Sequence, residues 1–77
     1  MSPTKGRIVM FRFGSKEVPL SGSFEHPAII TRVWSDTMVN LLVFVDNAAP
    51  MAVTSIELHA EEPPHTGQRA CWWPARA

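Results

Sequence analysis

Trp34, Trp72 and Trp73, with Arg7, Arg12, Arg32, Arg69 and Arg76, are the residues of this chain best suited to recognition. An indole face stacks on a nucleobase or a cation, and a guanidinium fork grips a phosphate or carboxylate through paired hydrogen bonds. Such a set can hold a nucleotide, and the same residue types are enriched at protein interfaces. In so small a chain, tryptophans also fill the interior or pack between subunits. Arg32, Trp34, Arg69, Trp72 and Arg76 are therefore the candidate ligand-binding residues, and Phe24, Leu20 and Trp73 the candidate partner surface. The direction of the arginines separates the readings. Convergence of Arg32, Arg69 and Arg76 on a concave pocket beside a tryptophan means ligand capture; dispersal around a flat apolar patch means docking to a larger protein.

Other chemistries have thinner support. His26, His59 and His65 lie at no metal-ligand spacing on a regular element, although His59 and His65 flank Glu61 and Glu62 in a polar stretch. Cys71, the only cysteine, falls in a predicted strand beside two tryptophans, where a thiol is buried and inert rather than nucleophilic. No catalytic residue, metal site or cofactor is assigned, and the expected role is non-enzymatic.

Size sets the next constraint. A chain of 77 residues is one domain that buries only about 60% of the surface its unfolded form exposes, so it needs outside support. A single cysteine excludes an internal disulfide and a cysteine-based zinc site. With 45% hydrophobic and 18% charged residues, burial against copies of itself is the leading source, and a homo-oligomer is expected. The net charge of zero removes any general attraction to nucleic acid or acidic membranes, so a nucleic-acid partner is disfavoured. Lys5, Arg7, Arg12 and Lys16 nevertheless cluster early, and a solvated strand edge guarded by basic residues is the expected meaning. The apolar runs are too short for a signal peptide or membrane span, which places the protein in the cytosol, where a lone thiol stays reduced.

The elements that must position these residues centre on residues 27–46, two runs rich in β-branched and aromatic residues around Ser35-Asp36-Thr37, a hairpin signature. In the second run Val39, Leu41, Val43 and Val45 share one face, while Met38, Leu42 and Phe44 make the other apolar too. A central strand covered on both faces is predicted. In the first run Pro27 stands at the opening position, where no ladder donor is needed, and Arg32 alternates with Ala28, Ile30 and Trp34. A preceding strand spans 7–13 with Val9, Phe11 and Phe13 inward. Residues 1–5 are expected to fray, and 14–26 form a long loop in which Val18, Leu20 and Phe24 either pin the loop to an open barrel end or form a patch for a partner. A third antiparallel run, 51–58, puts Ala52, Thr54 and Ile56 on one side and Met51, Val53 and Ser55 on the other. Residues 59–68, with a double proline, cross an end of the fold. A closing strand in 69–76 stops at Pro74. With no helical period anywhere, the predicted fold is all-β: a small five-stranded SH3-like barrel over 1–77, with an oligonucleotide-binding barrel second.

The blocks Gly6-Arg-Ile-Val9, Pro27-Ala-Ile-Ile-Thr-Arg-Val-Trp34, Val39-Asn-Leu-Leu-Val-Phe-Val-Asp46, Thr54-Ser-Ile56 and Trp73-Pro74-Ala-Arg76 together resemble a family of small, mostly uncharacterised proteins encoded by bacteriophages and prophages. Members typically end in a Trp-His-Trp-Pro block; here Cys71 and Trp72 replace its first two residues, so no histidine role carries over. The resemblance implies a location in the host cytoplasm but no common activity. Two functions follow as expectations: a phage accessory module that oligomerises and captures a host molecule such as a nucleotide signal, or a minor virion or packaging adaptor docked on a larger protein.

Overall fold

In the computed structural model, which describes residues 2–17 and 24–75, the chain forms five β-strands in the order β1 (Ile8–Arg12), β2 (Glu25–Ser35), β3 (Met38–Val43), β4 (Met51–His59) and β5 (Ala70–Trp72), with no helix among the described residues. They close into a barrel, consistent with the SH3-like architecture. The pairings β1–β2, β2–β3, β3–β4 and β1–β5 are antiparallel, and β5 joins β4 in parallel through Leu58↔Cys71 and His59↔Trp72. That parallel closure requires the connection after β4 to cross an end of the barrel, because parallel neighbours cannot be joined by a tight turn.

Alternation fills the interior. Val9 and Phe11 from β1, Ala28 and Ile30 from β2, Val39, Leu41 and Val43 from β3, and Cys71 from β5 are 0–1% exposed, and Phe13, Val53, Ile56 and Leu58 complete the core. The edge-to-face contact of Phe11 with Phe13, 5.2 Å between centroids, is the geometry aromatic rings prefer.

Several expectations are corrected. The central strand β3 is covered on its inner face only: Met38, Asn40 and Leu42 are half-buried and Phe44 is 43% exposed. A barrel has one interior, so the second apolar face of β3 becomes outer surface. β2 begins at Glu25, two residues before Pro27. Pro27 is tolerated there because its ring nitrogen falls at the last rung toward β3, where only its carbonyl works, accepting from Phe44 N at 3.0 Å.

Arg32 and Trp34 do not continue the inward row of Ala28 and Ile30. Register shifts leave Thr31 and Trp34 as extra residues opposite β3, so Val33 turns inward while Arg32 and Trp34 face solvent. A third bulge in β4 sets Thr54 and Ser55 against Asn40 alone, with Ser55 at φ 53°. It replaces the predicted alternation with an inward set of Val53, Ile56 and Leu58.

Arg12 is no solvated edge residue: it is 3% exposed. Its side chain reaches the connection after β4, donating to the carbonyls of Pro63 at 3.2 Å and Pro64 at 3.1 Å and to Glu62 at 3.2 Å. The chain start is also held, since Pro3 is buried and Gly6 N donates to Ile30 O at 2.8 Å.

Candidate functional site

The outer surface of the barrel carries the exposed apolar residues. Strand register places Ile8, Ile29, Leu42 and Ala52 in one row across four strands. The next row holds Met10 and Pro27 beside Phe44. Ile8 and Phe44 are 49% and 43% exposed, and Ile29, Leu42 and Met10 are half-buried. No charged residue interrupts these two rows, and this continuity distinguishes a patch from the scattered apolar residues of any surface.

Toward the hairpin turn the face ends in a fixed aromatic platform. The Arg32 guanidinium lies 3.9 Å from the Trp34 ring centroid, and the indole Nε1–H donates to Asn40 Oδ1 at 2.9 Å. The same oxygen accepts from Ser55 N at 2.8 Å, satisfying the amide that the β4 bulge leaves without a ladder partner. Trp34 is 52% exposed, yet Arg32 and Asn40 orient it. A large ring already held in place loses little freedom when it binds, the property of an interface anchor.

The other nominated residues lie elsewhere. Arg69 is spent on Glu17, with Nε and Nη2 donating to the two carboxylate oxygens at 2.9 and 2.7 Å. That bond, with Gly14 N donating to Glu17 Oε1 at 2.8 Å, holds the Glu17 carboxyl below the usual carboxylate range against the opposing effect of burial. Beside the pair, Ser15 N donates to Gly67 O at 3.1 Å, and Gly67 adopts φ 86°, a conformation only glycine takes freely.

Trp72 is 5% exposed beneath the Arg12 guanidinium, 5.2 Å from its ring centroid. Trp73, expected at a partner surface, packs against the core with the Arg7 guanidinium 5.3 Å above it. Phe24 is 41% exposed. Leu20, Val18 and Arg76 lie outside the described residues. The structure thus brings Arg32 and Trp34 together and separates both from Arg69 and Trp72.

Among the described residues, two hollows border the candidate residues, and neither has a free cation in its wall. One of 220 Å³ at the end of the barrel, bordered by Phe13, Phe24 and His65, has Arg12 in its wall. That volume is below the ~300–1,000 Å³ usual for ligand sites, and the guanidinium is already committed to the crossing connection. A groove of 430 Å³ lies along Trp72 and Trp73 but carries Glu61 and Glu62, which repel phosphate.

His65 stands 3.6 Å from Glu62 and His59 3.9 Å from Glu57, so the two histidines take separate carboxylates. No group of three metal-ligating side chains assembles among the described residues. Cys71 is fully buried and donates to Glu57 O at 3.2 Å; burial first, and the Glu57 charge second, push its thiol up to about 12. No helix of the described residues is long and apolar enough to cross a membrane. Compared with protein-family models, curated proteins and solved structures, the chain matches none.

Sequence reasoning did not single out Asn40, and it read Arg12 as a recognition or solvated-edge residue rather than a buried one. Asn40 had a signal: a lone amide among Met38, Leu42 and Phe44 on an otherwise apolar face. Arg12 had none, because its partners are main-chain carbonyls fifty residues away.

Proposed function

We propose that this protein is a non-enzymatic docking module that works through the outer face of β1–β4, as an adaptor between proteins rather than a receptor for a nucleotide. The observation that carries this reading is the dispersal of the arginines. Arg32 lies on an exposed apolar face beside Trp34, while Arg69 is paired with Glu17 elsewhere. Ligand capture requires these groups to converge on one concavity. The groove along Trp72 and Trp73 carries Glu61 and Glu62, and the only thiol is buried and protonated at neutral pH. An apolar face edged by a tryptophan and an arginine has the composition of a protein contact.

The resemblance to small phage and prophage proteins supports a setting in the host cytoplasm and a place among phage accessory or virion-assembly components. The reading is tested by thermal unfolding against millimolar mono-, di- and cyclic nucleotides. No change in midpoint is expected. A rise of several degrees with one class would overturn the reading in favour of ligand capture, because a ligand bound only by the folded state stabilises by mass action.

A further inference from the structure

Two features of the outer face bear on what covers it. The first is its charge pattern. Among the described residues, Arg32 and Asp46 meet no side chain of opposite charge, and both are exposed. They lie on opposite sides of the apolar rows: Arg32 pairs with Asn40, two residues from Leu42 toward the hairpin turn, and Asp46 follows Phe44, beyond Leu42 the other way. The second is the placement of the exposed aromatics. Trp34 stands on the arginine side and Phe44 on the aspartate side, 52% and 43% exposed.

At ~3.3 Å per residue, the row of Arg32 and Asn40, on which the Trp34 ring is held, lies about 7 Å from the Leu42 row on one side, and the Phe44 row lies about 7 Å from it on the other, with Asp46 two residues farther out. The stripe is therefore complementary to its own copy turned through 180°. Self-complementarity is required of an isologous interface, in which residue i meets residue j and j meets i; a face for an unrelated protein has no reason to show it.

We propose that a second copy of this chain covers the face, two barrels meeting back to back about a two-fold axis near Leu42. Trp34 of each copy packs on Phe44 of the other, and Arg32 pairs with Asp46 across the interface. Ile8, Ile29 and Leu42 form the dry centre. A stable interface takes about 800 Å² from each partner, roughly a sixth of the 4973 Å² surface of the barrel, so one side is enough. The grooves along Trp73 and the connection after β4 are not used in this pairing and stay open for a larger partner. The proposal rests on reading the outer face as a docking surface, and it names the occupant.

The test is the mass of the full chain by light scattering and sedimentation from micromolar to millimolar concentration, with variants on the face. A shift from 8.6 kDa to twice that mass is expected. Leu42→Glu should yield a monomer with the far-ultraviolet spectrum unchanged. Arg32→Asp and Asp46→Arg should each weaken association at least tenfold, and the double charge reversal should restore it. A wild-type chain monomeric throughout the range would overturn the second-copy proposal while leaving the face free for a different protein. A dimer indifferent to Leu42→Glu and to both charge reversals would mean that the copies meet elsewhere, overturning the proposed pairing while leaving this face free for a different protein.

Discussion

Arg12 shows how one buried cation can hold a connection that contains no regular structure. Its guanidinium supplies donors to Pro63 O, Pro64 O and Glu62 while lying against Trp72. Arg12→Met removes the donors and leaves the carbonyls without them, and a loss of about 3 kcal/mol in urea unfolding is expected. Arg12→Lys should recover little, because a single ammonium cannot reach a forked set of acceptors. Cys71 gives a second prediction at this scale. Its folded pKa of about 12 lies above the ordinary thiol value, so the folded state holds the proton more tightly. Stability is therefore fully present below about pH 8.5 and declines as pH rises toward the folded value. Cys71→Ala should lower overall stability but flatten this alkaline decline, and the native thiol should resist alkylation at pH 8 until the chain unfolds.

At the scale of elements, the β4 bulge and the Glu17–Arg69 clamp fix what the strands leave open. Asn40 satisfies Ser55 N and orients Trp34 at once. Asn40→Ala is expected to cost about 1–2 kcal/mol and to broaden the indole NMR signal of Trp34. Ser55 at φ 53° should accept glycine without loss, whereas Ser55→Val costs about 1–2 kcal/mol, because a β-branched residue clashes in that conformation. The clamp is partly solvent-exposed, and a double-mutant cycle on Glu17 and Arg69 should give about 0.5–1 kcal/mol. Since the folded pKa of Glu17 is lowered, that coupling is present above the ordinary glutamate value and disappears as pH falls through the folded one.

For the whole molecule, closure rests on the three residues of β5, which join the first strand to the fourth. A chain ending at Arg69 loses Cys71 and Trp72 from the barrel and opens β1 along its length. It should show no dispersed amide spectrum and no cooperative unfolding. Small-angle scattering gives a complementary measurement. The barrel has a radius of gyration of 11.6 Å, and a back-to-back pair should rise above about 15 Å, the value for a single globule of twice the length.

The strands and their number were legible in the sequence because alternation of apolar residues is a local property: Val9, Phe11 and Phe13, and Val39, Leu41 and Val43, read inward without any knowledge of their partners. Ser35-Asp36-Thr37 and Pro74 marked ends for reasons confined to their own backbone, whereas β2 begins two residues before Pro27, the expected start. The bulges at Thr31, Trp34 and Ser55 were not legible, since an extra residue is defined against the neighbouring strand, and one such insertion reversed the faces of Arg32 and Trp34. The same holds for Arg12 and Arg69, whose partners are carbonyls and a carboxylate about fifty residues distant. The chain by itself determined that a barrel forms and which residues fill it. Only the tertiary structure decided which cations are spent inside the fold and which apolar row is left outside, because both depend on pairings that closure of the barrel creates.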